Sequence, residues 1–256
     1  MIDLANYPLI IFVVSFIVLW LFERIGSSLL KRQQRKMAED LRADFGVNLS
    51  GTLTLLGLLI GFTFSMAISR YDERKNYEEA EANAIGTEYL RADLLPPADA
   101  AKVRELLKRY TDQRILFYET RDHHELVQMN SRIAQLQNEL WSAVRAPVSS
   151  QPTPVVALVI SGMNEVLNSQ GYTQAAWWNR IPFAAWAMMS AIAICASLLV
   201  GYGARKAEAQ GILAFVLPLV VSIAFLLIAD IDSPRGGIVR VRPQNVVSLA
   251  QSLSST

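Results

Sequence analysis

The stretch from Leu49 to Leu95 reads LSGTLTLLGLLIGFTFSMAISRYDERKNYEEAEANAIGTEYLRADLL. Its first part, residues 49–68, carries no charge, and about 20 apolar residues suffice for a helix to cross a bilayer core. The second part is charged and rich in alanine and glutamate, which favour helix. Because no proline or turn cluster separates the two parts, the sequence predicts one long helix that leaves the membrane and continues into water.

One face of this predicted helix carries small or polar residues at steps of three or four, the spacing of a single helical face. We call this set the stripe, and it comprises Thr54, Gly57, Gly61, Ser65, Ser69, Asp72, Asn76, Ala80, Asn83 and Thr87. Gly57 and Gly61 form a GxxxG pattern, which lets helices approach closely. Two interpretations follow: the stripe packs against other helices, or it lines an aqueous path around an oligomer axis.

The composition indicates a membrane protein with a sizeable aqueous part. Of the 256 residues, 52 % are hydrophobic, and the mean hydropathy is +0.26. The net charge of +1 argues against a nucleic-acid binder, because such proteins bind through basic surfaces. The single cysteine, Cys195, excludes an intrachain disulfide and a cysteine zinc site.

Three further apolar stretches predict membrane helices, at residues 4–22, 181–201 and 211–229. The first resembles a signal peptide, but no Lys or Arg precedes its apolar run and no small-residue cleavage site follows it directly. The third predicted helix, residues 181–201, is dense in small residues. This composition suits close packing against the Gly57 and Gly61 face.

Between the second and third membrane helices the sequence predicts a helical bundle outside the bilayer. Pro96 and Pro97 stop the long helix. A helix over 98–121 follows, and Asp122 is placed to cap the next one. A loop over 147–154 and a short apolar helix over 155–167 complete the bundle. The predicted fold is therefore an all-α integral membrane protein, with four transmembrane helices and a bundle inserted between the second and third.

We expect four parts along the chain. Residues 1–48 hold the first transmembrane helix and a basic amphipathic linker that lies as a helix on the membrane surface. Residues 49–95 form the second transmembrane helix and its continuation into the bundle, residues 96–180 the rest of the bundle, and residues 181–256 the third and fourth helices and a C-terminal tail. Basic loops favour the cytoplasmic side, which places the bundle outside.

No residue pattern predicts catalysis, so we expect no enzyme and no cofactor. His123 and His124, with Asp122 and Glu125, are the one cluster that resembles metal ligands. Adjacent helical residues point about 100° apart, so the two imidazoles do not converge on one ion. There is no Gly-rich phosphate loop, nucleophile elbow or HExxH motif.

The fourth predicted membrane helix ends in two carboxylates, Asp230 and Asp232. Ionisable groups at a membrane exit tend to pair or to face a pathway. They also occur as the capped, solvated end of a helix. The sequence allows both interpretations.

Two runs carry a resemblance: GLLIGFTFSMAISRYDERKNYEEAEANAIGTEYLRADLLP at 57–96 and DIDSPRGG at 230–237. They resemble the bestrophin-like domain family of bacterial and plant membrane proteins, over nearly the whole chain. The name implies similarity to bestrophins, which are pentameric anion channels with four membrane helices and a large cytosolic helical part. The resemblance thus implies a ring-shaped anion-type channel, with a pentamer as one candidate assembly, and a cytoplasmic bundle, opposite to the basic-loop argument. Of the acidic calcium-binding run that bestrophins carry after their last membrane helix, only Asp230 and Asp232 correspond.

The sequence leaves two functions open. One is an oligomeric ion channel in a bacterial inner (cytoplasmic) membrane, with lipid, ions and further copies of itself as partners. The other is a non-conducting membrane scaffold or sensor whose bundle binds a partner protein. A channel needs the stripe to face water at a symmetry axis, whereas a scaffold needs it buried between helices.

Overall fold

The structure is a computed structural model that describes residues 7–33, 39–150, 153–203 and 210–255. Within these ranges it contains helices and no strand. The helices are α1 (Pro8–Gln33), α2 (Glu39–Arg91), α3 (Pro97–Glu119), α4 (His123–Ser150), α5 (Pro154–Trp178), α6 (Phe183–Gly203), α7 (Gln210–Asp232) and α8 (Gln244–Ser254), with a 3-10 turn at Ala92–Leu94.

Four stretches of the described chain are long and apolar enough to cross a membrane: Pro8–Leu29, Asp44–Leu94, Pro154–Gly203 and Ala214–Asp232. In α2 the uncharged residues 49–68 supply the crossing, because a helix of 53 residues is about 80 Å long and the bilayer core only about 30 Å thick. In the third stretch α6 supplies it, since α6 has no charged residue. The predicted fold class is confirmed.

The chain forms two compact units. The membrane unit comprises Met1–Arg70 and Arg180–Val239, and the bundle unit comprises Tyr71–Asn179 and Arg240–Thr256. The first division falls inside α2, so this helix contributes residues to both units.

In the membrane unit, α1 packs against α6 and α7. The tightest approach is at Gly26 and Gly201. A Cβ atom on Gly26 would lie 2.2 Å from the carbonyl oxygen of Leu198, and one on Gly201 would lie 2.0 Å from that of Glu23. Only glycine allows the two backbones to come this close, so small residues bring α6 onto α1.

Within a single chain, α6 does not pack on the Gly57 and Gly61 face as expected. A Cβ atom on Gly57 or Gly61 would meet no atom within 4 Å outside the backbone of its own helix, among the residues described. The small residues of α6 face α1 at Gly201 instead. The sequence pattern identified a helix suited to close packing but not its partner.

The basic linker also differs from the expectation. Residues 23–33 continue α1, and residues 39–48 already belong to α2, so these parts extend the membrane helices rather than form a separate surface helix. Residues 34–38 lie outside the described ranges. The uncharged stretches correctly predicted where the chain crosses the membrane. A helix does not have to end where charged residues begin, however, so the described parts of the linker are not a separate helix.

The bundle unit is built on α3, α4, α5, α8 and the second part of α2. Its core consists mainly of aliphatic and aromatic side chains, including Val103, Leu107, Tyr110, Phe117, Ile133, Leu140, Val159, Met163 and Val166. The predicted cap of α4 is present, because the His124 amide donates to Asp122 Oδ1 at 2.6 Å. No group of three or more His, Cys, Asp or Glu residues within the described chain is arranged to hold a metal ion.

Two bundle helices are longer than predicted. α4 continues through Pro147 to Ser150, since proline removes one hydrogen bond without having to end a helix. α5 continues past Leu167 to Trp178. Beyond Leu167 the buried face of α5 carries the polar residues Ser169 and Thr173. A prediction that follows apolar residues therefore ends the helix too early.

Candidate functional site

Helix α2 has two opposite faces with different chemistry. Every residue of the stripe is exposed along the whole length of the helix. The opposite face is buried at steps of three, four or seven: Leu56, Thr63, Ala67, Arg74, Glu78, Glu81, Ile85, Glu88 and Ala92. The two faces lie on one helix, so we consider each as a candidate site.

In the membrane unit the exposed face consists of small and polar residues flanked by apolar ones. Five stripe residues lie here, namely Thr54, Gly57, Gly61, Ser65 and Ser69. The exposed apolar side chains beside them are Leu55, Leu58, Phe62 and Met66. Thr63, on the buried side, donates its hydroxyl to the Leu59 carbonyl at 2.8 Å. The helices that the structure describes therefore leave the membrane part of the stripe uncovered.

In the bundle unit the stripe is exposed as well. Its members here are Asp72, Asn76, Ala80, Asn83 and Thr87. Directly across the helix lie three buried glutamates, Glu78, Glu81 and Glu88. The buried glutamates of α2 thus lie on the face opposite the stripe.

Glu81 is the centre of a buried polar network. Arg114 of α3 donates to it through Nε and through Nη2, the latter at 3.0 Å. The hydroxyl groups of Tyr118 and Thr173 donate to Glu81 Oε2 at 2.9 Å and 3.2 Å. Through these contacts Glu81 joins α2 to α3 and α5.

Arg114 keeps its charge in this buried place. Its guanidinium lies 4.3 Å from the ring centroid of Phe117, which adds a cation–π contact. Burial opposes the charge, but the Glu81 carboxylate and the hydroxyl groups of Tyr110 and Tyr118 together outweigh burial and raise the pKa of Arg114 above its ordinary value. The pair is a structural tie within the bundle.

Glu78 holds the first turn of α8. Its carboxylate accepts the Asn245 amide at 2.9 Å, the Asn245 side-chain Nδ2 at 2.7 Å and the Val246 amide at 3.1 Å. The first amide groups of a helix lack partners within the helix. A side chain of α2 therefore caps a helix that is distant in sequence.

The two acidic residues at the end of α7 accept hydrogen bonds from the backbone. Asp230 accepts the amides of Ile238 at 2.7 Å and Val239 at 2.8 Å, and Asp232 accepts the Ile181 amide at 3.2 Å. A Cβ atom on Gly237 would lie 2.2 Å from the Asp230 carbonyl oxygen. The DIDSPRGG motif thus shapes the turn after α7. Both carboxylates of the acidic pair hold the backbone in place by accepting hydrogen bonds from amide groups.

The sequence did not lead us to the buried glutamates or to Arg114. One signal was available, because Arg114 continues the apolar series Val103, Leu107, Tyr110 and Phe117 at steps of three and four. A charged residue in such a series predicts a buried partner of opposite charge. Nothing in the spacing indicates that the partner is Glu81.

The family comparison covers almost the whole chain. A model of the Bestrophin-like domain family matches residues 9–246. A comparison with curated protein sequences found no match.

Solved structures share the fold at low sequence identity. A single-substitution variant of a bacterial bestrophin homologue from Klebsiella pneumoniae has a TM-score of 0.69 and 13 % identity, covering 95 % of this chain and 96 % of that chain. Another crystal structure of the Klebsiella pneumoniae homologue has a TM-score of 0.64 and 13 % identity, covering 96 % and 97 %. A structure described only as a membrane protein has a TM-score of 0.65 and 14 % identity, covering 95 % and 97 %.

These identities are too low for the structural likeness to carry more than the fold. The family match is independent of that likeness and spans residues 9–246. It agrees with the four apolar crossings and with the inserted helical bundle. The chain belongs to the bestrophin-like domain family.

Proposed function

We propose that this protein is a homo-oligomeric ion channel in which the membrane part of the stripe lines the conducting path. The observation that carries the proposal is the exposure of five small or polar residues that follow one another along one face of α2. They are Thr54, Gly57, Gly61, Ser65 and Ser69. Glycine and hydroxyl side chains offer acyl chains little apolar surface, and a polar group in hydrocarbon costs free energy unless it is hydrogen-bonded. Water or a second copy of the helix suits this face better than lipid does.

A single exposed helix cannot enclose a path, so the proposal needs several copies around an axis. In the membrane unit α1, α6 and α7 pack together, while in the described stretch 49–68 of α2 the buried residues are Leu56, Thr63 and Ala67. The exposed apolar side chains Leu55 and Phe62 are then available to neighbouring copies. A ring of five copies and a preference for anions follow from likeness to bestrophins, and they are part of the proposal.

We place the protein in the inner membrane of a bacterium, as a multi-pass protein. The support is the four apolar crossings and the bacterial source of the bestrophin homologue that shares the fold.

A second candidate function is a scaffold or sensor whose bundle binds a partner protein. The observation that favours it is an open groove of about 970 Å³ between α3 and α4. Basic and acidic side chains line it, including Lys102, Glu105, Arg109 and Glu139. Such a mixed-charge groove suits a polar segment of another protein.

Reconstitution into planar bilayers distinguishes the two functions. We expect the wild-type oligomer to carry a current, and Ser65→Trp to reduce it strongly, because the indole fills the path. Val14→Trp adds the same ring at an exposed residue of α1, outside α2, and is expected to keep most of the current. A folded and assembled wild type that conducts no ion at any tested voltage or pH overturns the channel and leaves the scaffold.

A further inference from the structure

Glu88 is a buried glutamate of α2 that lacks a hydrogen-bonding partner among the residues described. The residue is 0 % exposed, and neither carboxyl oxygen has a hydrogen-bond donor. A charged carboxylate without donors is costly in such a place, whereas a neutral carboxylic acid is tolerated far more easily. This contrasts with Glu81, whose carboxylate receives donors from Arg114, Tyr118 and Thr173.

The residue that faces Glu88 from α5 is a glycine. A Cβ atom on Gly162 would lie 2.0 Å from Glu88 Oε2 and 2.4 Å from Nη1 of Arg91. The carboxyl group of Glu88 and the guanidinium group of Arg91 therefore lie on either side of the space that a side chain at position 162 would occupy. We call these two groups the tips of Glu88 and Arg91. Any larger residue at position 162 would displace both tips.

The charged groups around Glu88 come from several elements. Arg91 lies on the same helix and attracts the carboxylate, while Glu165 of α5 repels it. Asp93 in the 3-10 turn is paired with Arg104 of α3. α8, which contacts α2 at Gly86, has no charged side chain.

We propose that Glu88 is a pH-sensitive switch of the bundle, which holds α5 against α2 while it is a neutral acid and favours local opening of α5 when the proton is lost. The proton leaves to solvent. The new carboxylate gains a charge partner by closing on Arg91 in front of Gly162, which disturbs the packing of α5 on α2. This inference concerns the bundle alone and does not rest on ion conduction.

The direction of the pH dependence follows from the environment of the carboxyl group. Burial raises the pKa of Glu88 to about 8 from an ordinary value of 4.5, although Arg91 lowers it, and Glu165 raises it further. In the opened state the group returns to its ordinary pKa and ionises first. The contribution of Glu88 to closure is therefore full below pH 4.5, falls as the pH rises toward about 8, and is constant above that value.

Hydrogen–deuterium exchange of the full-length protein in detergent micelles tests this. After correction for intrinsic exchange rates, the protection of the α5 peptide around Gly162 is expected to fall about tenfold per pH unit from pH 6 to 8, and then to level off. Glu88→Gln replaces the acid with an isosteric neutral group, so its protection is expected to be independent of pH. Glu79→Gln changes an exposed glutamate of the same helix and is expected to behave as wild type.

A second variant keeps the test decisive if Glu88→Gln does not fold. Gly162→Ala places a Cβ atom where the two tips meet, and it is expected to shift the pH at which protection levels off. A wild type whose protection does not change between pH 6 and 8 overturns the proposal. So does a Glu88→Gln protein, or in its place a Gly162→Ala protein, that keeps the wild-type profile.

Discussion

The two faces of α2 carry polar residues in opposite circumstances. On the stripe, residues such as Ser65, Asp72 and Asn76 are exposed and need no partner in the chain. On the buried face, Glu78 and Glu81 are each matched by donors from other helices. A polar residue on the first face can change without disturbing the fold, whereas one on the second cannot. Substitutions on the stripe are thus expected to affect function, and substitutions on the buried face are expected to affect stability.

Breaking the buried face at Glu81 is expected to give the largest effect. Glu81→Gln leaves the Arg114 charge buried without its partner, at a cost of about 3–5 kcal/mol. Thermal unfolding of the purified protein measures the loss. The exposed control Glu79→Gln is expected to stay within about 0.5 kcal/mol of wild type.

The same site offers a rescue. Adding Arg114→Met to Glu81→Gln removes the unpaired charge, and stability is expected to return most of the way. If the single variant is as stable as the Glu79→Gln control, the pair does not hold the bundle together and the contrast between the faces fails.

Gly61→Leu changes the other face and is expected to leave the fold intact. A Cβ atom there would meet no atom within 4 Å outside the backbone of its own helix, among the residues described, so the free energy of unfolding should change by no more than the roughly 1 kcal/mol that replacing a helical glycine brings. If neighbouring copies pack against this face, the branched side chain separates them, and size-exclusion chromatography will show a smaller species.

Gly171→Leu is the matched control, since it adds the same side chain at an equally open glycine of the bundle. An unchanged oligomer with reduced current would place Gly61 at the path rather than at the contact between copies. If both the oligomer and the current are unchanged, Gly61 faces lipid, and the stripe loses its proposed role.

The smallest effect is expected from Asp72→Asn. Asp72 is an exposed charge of the stripe, and charges at a pore entrance bias which ions enter. Its removal is expected to move the reversal potential under a salt gradient toward that of anions. The shift will be modest, because salt screens exposed charges over about 8 Å at physiological ionic strength.

Glu73→Gln is the control. Glu73 is the neighbouring exposed glutamate, about 100° away around the helix, and its substitution should leave the reversal potential unchanged. An equal shift from both variants would contradict a specific role of Asp72.

The sequence predicted the membrane crossings, the inserted bundle and the cap at Asp122, because uncharged length and local capping patterns are properties of neighbouring residues. It did not predict which elements meet. Glu81 and Arg114 are 33 positions apart, and Glu78 and Asn245 are 167 apart, so no periodicity connects them. The packing of α6 at Gly201 was missed for the same reason, since a small residue shows that a close contact is possible but not with which helix. The roles of the stripe residues stay predictions.

The cap that Glu78 provides for α8 has a consequence for biosynthesis. The bundle unit is assembled from two separate segments, Tyr71–Asn179 and Arg240–Thr256, and α6 and α7 are translated between them. Until Asn245 and Val246 have left the ribosome, the Glu78 carboxylate lacks the donors that satisfy it in the finished protein. Synthesis of α6 and α7 must therefore precede completion of the bundle, and a chain released before α8 has emerged would present an unfinished surface to chaperones and proteases.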